Sequence, residues 1–298
     1  MRVSPLGIEA PVLVLGATGL LGTRLVPALA AECETVTHAR SVGANYAADL
    51  ADSHVTAQML DTVRPSLIIN LAALTNVDLC QEQPQQAYLA NVKSIENVVA
   101  WMQARDAQCH LLHISTDQVY DGPGPHVENN VTIVNTYGLS KYAGELAALS
   151  VGATVLRTNF FGRSARPGRE SLSDWLSRCL HAGAPINVFD DVLFSPLSLG
   201  TLVHMILRTA RIQPRGVFNL GAADGMSKAD FAFAFAAALG VQQPAMKRTS
   251  SRVFRPLSAV RPLDMRMNSR RIEAALGVCM PRLQQEIEST AIEYRDGY

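Results

Sequence analysis

Apolar residues in this chain gather in short continuous runs, with little strict alternation. Residues 12–15 (VLVL), 66–70 (SLIIN), 111–114 (LLHI) and 152–157 (GATVLR) read as strands buried on both faces, and 34–37 (ETVT) as a further strand. Between them lie stretches rich in helix formers at 23–31, 54–63 and 87–104. Strands alternating with helices predict an α/β fold, a doubly wound parallel sheet of Rossmann-like type, with its ligand crevice at the carboxyl ends of the strands. After residue 157 the pattern loosens. Helices are expected at 171–181, 228–239 (capped by Ser227), 270–276 and 283–294, with strand-like runs at 186–189 and 217–220 and a turn at 221–225. This later part reads as a second, smaller lobe.

Composition narrows the class. The chain has 298 residues, of which 48% are apolar and 17% charged, and this describes a globular protein with a large core. Net charge is zero, so no global field draws it to nucleic acid or to a membrane surface. The five cysteines are scattered without a CxxC or Cys/His cluster. Neither a metal site nor a disulfide framework is expected, and reduced thiols fit the cytoplasm. Residues 1–10 carry no apolar core of a signal peptide, and no run approaches the ~20 residues of a membrane span.

Two stretches carry candidate chemistry. The first strand runs into Gly16, Ala17, Thr18, Gly19, Leu20, Leu21 and Gly22, and a helix follows. Strand, glycine turn and helix offer close backbone approach and free helix-terminal amides to a pyrophosphate. The second strand ends in His38, Ala39, Arg40 and Ser41, with no carboxylate for a ribose 2′-hydroxyl. Arg40 suits a 2′-phosphate instead, which points to NADP with NAD possible; the alternative is a solvated loop arginine. The second stretch is Tyr137 to Lys141. Four apart on a helix, the two side chains share a face. A phenol has a pKa of about 10, and lowering it by about three units takes roughly 4 kcal/mol of differential stabilisation. A neighbouring ammonium and an oxidised nicotinamide supply that kind of stabilisation, making Tyr137 a proton donor to a carbonyl that becomes an alcohol. Thr116, at the end of the fourth long strand, is placed to hydrogen-bond the same oxygen. Leu71, Ala72 and Ala73 follow the third long strand and leave room for a flat cofactor.

With GATGLLG (16–22), NLAALTNVD (70–78), STDQVYDG (115–122), YGLSKYAGE (137–145), LRTNFFG (156–162), FSP (194–196) and RPLD (261–264), the chain resembles an extended short-chain dehydrogenase/reductase of the dTDP-4-dehydrorhamnose reductase group. That resemblance implies a Rossmann-like domain of residues 1–157 and 186–221 and a substrate lobe of 158–185 and 222–298. It implies that Gly19, Leu20 and Leu21 meet the pyrophosphate, that Asp49 and Leu50 lie along the adenine, and that Lys141 bonds the nicotinamide ribose. It further implies that Thr116, Tyr137 and Lys141 are catalytic and that Thr116, Asp117 and Phe160 face the sugar. The implied partner is a nucleotide-linked keto-sugar, with no nucleic acid or membrane partner, and a homodimer is compatible with it. Two departures matter. Gln118 stands where related dehydratases carry a glutamate, and an amide cannot relay that proton. Gln118 and Phe160 also replace the tyrosine and tryptophan usual in the rhamnose-type reductases. This points to a neighbouring branch acting on other nucleotide-linked deoxysugars. Lys247, Arg248, Arg252, Arg255, Arg261 and Arg266, against the single acid Asp264, suit either a substrate diphosphate or a solvated loop. Two other activities stay open: a nucleotide-sugar epimerase with bound NAD, and a silent NADP-binding regulatory subunit resembling the methionine adenosyltransferase β subunit.

Overall fold

The computed structural model describes residues 11–166, 168–253 and 257–295. The expectation for residues 1–10 and the cation Arg255 lie outside the described residues. The chain packs as two compact units. The first holds the described residues up to Thr116, with Asn135–Arg157 and Val203–Phe218; the second holds Asp117–Val134, Thr158–Leu202 and the described residues from Asn219 onward. Packing groups residues 117–134, 186–202 and 219–221, which the sequence division assigned to the Rossmann-like domain, with the second unit.

The first unit is built on β1 (Val12–Leu15), α1 (Gly22–Ala30), β2 (Thr35–Ala39), β3 (Tyr46–Ala47), α2 (Ser53–Val63), β4 (Leu67–Asn70), α3 (Val77–Glu82), α4 (Pro84–Tyr88), α5 (Ser94–Ala104), β5 (His110–Thr116), α6 (Thr136–Leu149) and β6 (Thr154–Thr158). The seven-stranded sheet runs in the order Gly216–Leu220, β6, β5, β4, β1, β2, β3. The pairs β1–β2, β1–β4, β2–β3 and β4–β5 are parallel. Strand order therefore reverses beside β1, and the crevice of such a sheet opens at that reversal. Every residue of β1 and of β4 is buried, which is why their sequences are continuous apolar runs. Leu13, Leu15, Ile68, Leu111 and Val155 from the strands pack with Leu60 of α2 and with Val98 and Trp101 of α5.

The expected single helix over 87–104 is divided. α4 and α5 are joined through a wider π turn at Leu89–Lys93, with Asn91 and Val92 buried. A π turn inserts an extra residue and re-aims what it carries, and such turns gather at functional sites. α6 packs directly against it. A Cβ on Gly144 would lie 2.4 Å from the Asn91 carbonyl oxygen, so only glycine permits that approach. The helix Leu199–Ile212 was not among the expected elements, although Leu199, Leu202, Ile206 and Ala210 form a buried helical stripe; its start is held from far along the chain, where Ser198 N donates to Glu286 at 2.6 Å.

In the second unit the expected cap is present. Ser227 accepts the Asp230 amide at the start of Lys228–Ala238. Phe231 of that helix meets Phe161 edge-on at 4.8 Å and Phe194 at 5.4 Å, and this aromatic group forms the centre of the unit. Met246–Thr249 pairs in parallel with Ile186–Phe189, so the basic run begins as a strand.

Candidate active site

α6 starts where it does because Asn135 caps it, accepting the Gly138 amide at 2.8 Å. Tyr137 and Lys141 follow one turn apart on the buried face, 7% and 3% exposed, while Leu139 between them is 57% exposed. The Tyr137 ring packs with Cys80, Ala87, Leu74 and Val77. Its backbone is held as well: Ser140 Oγ donates to the Tyr137 carbonyl at 2.8 Å, and Asn91 Nδ2 donates to Ser140 Oγ at 2.9 Å.

Lys141 Nζ donates to the Ile114 carbonyl of β5 at 2.7 Å. Burial pushes the Lys141 pKa down to about 8, and Glu145 one turn further on pushes it back up. At neutral pH the group is therefore an ammonium held out of water. His113 of β5 cannot share that charge, because burial and then the Lys141 charge hold its imidazole well below the ordinary value. Asn70 Nδ2 donates to His113 Nδ1 at 3.0 Å, and His113 Nε2 has no partner among the described residues. Thr116, 5% exposed, ends β5 two residues beyond Ile114. The structure thus collects Tyr137, Lys141 and Thr116 at the junction of α6 and the carboxyl end of β5, all in the first unit.

The glycine turn fits a pyrophosphate. Gly16 has φ +79°, and a Cβ there would lie 2.7 Å from the Ala72 amide nitrogen, so the turn rests directly on the backbone after β4. The amides of Leu20 and Leu21, ahead of α1, donate to nothing among the described residues. Unpaired amides at a helix start attract anions. Thr18 faces the loop after β2: a Cβ on Gly43 would meet its methyl at 3.6 Å. Arg40, at the start of that loop, is exposed. Asn97 of α5 donates to the carbonyls of Leu50 and Ala51 at 2.9 and 3.0 Å and so fixes the turn of Asp49 and Leu50. The Leu71–Ala73 segment is pinned at both ends. Asn70 Oδ1 accepts the Ala72 amide at 3.0 Å, and Asn91 accepts the Leu74 amide at 2.7 Å and donates to its carbonyl at 3.0 Å.

The other expected substrate residues belong to the second unit. Asp117 is 1% exposed and accepts from Asn159 Nδ2 at 2.6 Å, which brings it to the segment carrying the half-buried Phe160. The basic run is partly engaged. Arg248 pairs with Asp230 and Arg266 with Asp264, at 2.7 and 2.6 Å. Asn70, Asn91 and Asn97 position the site and escaped the sequence reading. Their signal was a polar residue inside an otherwise apolar buried run.

The Lys141 proton has a consequence for stability. Its folded pKa of about 8 lies below the ordinary 10.5. Between those values the unfolded chain holds a proton that the native protein has released, so stability rises with pH across the window. Below it, the buried charge costs about 3 kcal/mol. Urea unfolding of parent and Lys141→Met at pH 7 and pH 10 checks this. The variant is expected to be at least as stable as the parent at pH 7, with that advantage shrinking at pH 10. A constant difference across the two conditions contradicts it.

The chain is similar to known proteins along most of its length. The chain is 26% identical over 297 residues to a probable low-salt glycan biosynthesis reductase of Haloferax volcanii, covering 95% of this chain and 98% of that protein. It is 31% identical over 271 residues to a dTDP-4-dehydrorhamnose reductase of Mycolicibacterium smegmatis, covering 87% and 78%. Its fold matches the crystal structure of a dTDP-4-dehydrorhamnose reductase from Bacillus anthracis in complex with NADP, with a TM-score of 0.85 at 24% identity over 95% and 98% of the two chains. The profile described as RmlD substrate binding domain matches residues 10–295, and the chain belongs to that family.

Proposed function

We propose that this protein reduces the 4-keto group of a nucleotide-activated 6-deoxysugar, as its dTDP-4-dehydrorhamnose reductase relatives are named to do. The observation that carries the reading is the buried Lys141 ammonium on the Ile114 carbonyl, with Tyr137 one turn ahead and Thr116 ending the same strand. A bound reduced nicotinamide dinucleotide supplies the hydride. Gly16, Thr18, Gly19, Leu20 and Leu21 hold its pyrophosphate, Asp49 and Leu50 its adenine, and Leu71, Ala72 and Ala73 line the cleft. Arg40 receives a 2′-phosphate, which favours NADP over NAD.

The chain's own groups handle the oxygen. Thr116 donates a hydrogen bond to the carbonyl and holds it in place. Tyr137 gives its proton as the oxygen gains charge. Lys141 favours loss of that proton, because the ammonium acts through a dry interior where charge interactions are weakly screened. Tyr137 and Lys141 also contact the nicotinamide end, and Asp117 and Phe160 contact the sugar. Gln118 has no proton to relay, which separates this chemistry from elimination of water.

A cytoplasmic setting is part of the same reading. All five cysteines are free thiols, and among the described residues no helix is long and apolar enough to cross a membrane. So is a homodimer. Leu139 and Leu146, seven apart on α6, are 57% and 53% exposed beside half-exposed Tyr88 and Leu89. Sedimentation at a single-chain mass would remove that part.

The test is consumption of reduced coenzyme with a panel of nucleotide-linked 4-keto-6-deoxysugars. Net oxidation separates a reductase from an epimerase, which returns its hydride. Tyr137→Phe is expected to lose at least ~10²-fold in turnover while retaining coenzyme affinity, the usual contribution of a positioned acid. Undiminished turnover in that variant would remove Tyr137 from the mechanism.

A further inference from the structure

The most deeply buried charges of the first unit have no place in the chemistry above. Glu145 is 0% exposed and Arg157 of β6 is 2% exposed. Arg157 Nε donates to the two carboxylate oxygens at 3.0 and 3.1 Å, and its Nη2 donates to Oε2 at 2.6 Å. Ser115 Oγ donates to Glu145 Oε1.

Stability alone does not explain this pair. Desolvating two charges is so costly that well-packed apolar replacements are often neutral or stabilising. Its position is more telling. Lys141 and Glu145 are one turn apart on α6. Lys141 grips Ile114, Glu145 grips Ser115, and Thr116 is the next residue of β5. Two successive turns of the helix hold two successive residues of the strand, and the third is the proposed substrate donor. The charges point the same way. Removing Glu145 would take away the carboxylate that Arg157 holds and that lies one turn from the Lys141 ammonium.

Among the described residues, no other group on the elements packed against α6 takes that part. On β5, His113 is held neutral and burial pushes His110 down to about 4. On α3, burial raises the Cys80 thiol beside Tyr137 to about 11. Asp78, Glu82, Tyr88, Lys93 and Glu96 are carried by the helices and the π turn packed on α6, and none of them is buried.

We propose that Glu145 is a positioning residue for the reduction: its carboxylate places a counter-charge one helical turn from Lys141 and, through Ser115, holds the strand end that carries Thr116. Arg157 keeps the carboxylate in place. The inference rests on the reading in which Lys141 and Thr116 serve the reaction.

The test uses the full chain with ¹³C-labelled lysine, following the Lys141 resonance (assigned by its loss in Lys141→Met) against pH. In Glu145→Gln the Lys141 midpoint is expected to fall by about one unit or more, the size of effect a close opposite charge exerts. The alkaline limb of kcat is expected to fall with it, and KM to move less. Glu145→Asp, which keeps the charge, restores the midpoint. If loss of the carboxylate beside Arg157 prevents Glu145→Gln from folding, the double variant Glu145→Gln/Arg157→Met carries the same expectation. A folded variant in which Lys141 titrates as in the parent overturns the proposal. A shifted Lys141 titration with an unshifted activity limb overturns the reading of Lys141 in the reaction, and the inference with it.

Discussion

A single ammonium held out of water sets the terms for the first unit. The Lys141 ammonium donates to the Ile114 carbonyl, and burial drives its pKa down to about 8. An isolated charge in such a place would neutralise itself. It stays charged at neutral pH because a carboxylate lies one turn away and the neighbouring imidazole is the group that gives up its proton. The arrangement works against stability and makes sense as a device for acid chemistry at an adjacent phenol.

The surrounding architecture serves to hold that junction still. β5 is an inner strand, paired to β4 from His110 to His113, and Lys141 and Glu145 take hold of the residues just beyond that pairing. α6 is brought close by Gly144 on the π turn, and the same turn carries Asn91, which fixes both the Leu74 backbone and Ser140. The loop after β4 and the helix bearing Tyr137 are therefore tied through one asparagine. On the other side of β4, the glycine turn rests on Ala72 with no room for a side chain. Three segments from distant parts of the chain converge because the parallel sheet brings its strand ends to one edge.

Much of this was legible in the sequence because it is local. Continuous apolar runs mark β1, β4, β5 and β6, the glycine turn sits between a strand and a helix, and the spacing of Tyr137 and Lys141 is a helical repeat. What escaped is non-local. Nothing in the 3.6-residue period of 87–104 announces a π turn, since it exists to fit Asn91 against Leu74 and Gly144. The start of Leu199–Ile212 depends on Glu286, which lies far downstream. Glu145 and Arg157 are separated by a turn and most of a strand, and only the folded sheet shows that they face each other. The basic run, which suits a diphosphate or a solvated loop, is partly engaged with Asp230 and Asp264, and local charge counting cannot show which cations are already paired.

In the proposed mechanism the Lys141 charge makes the Tyr137 phenol easier to ionise. The ultraviolet difference between the parent and Tyr137→Phe, followed against pH, isolates that one phenol, and the same difference taken in a Lys141→Met background removes the charge. Tyr137 is expected to ionise at lower pH with the lysine present than without it. Coincident titrations in the two backgrounds would contradict it.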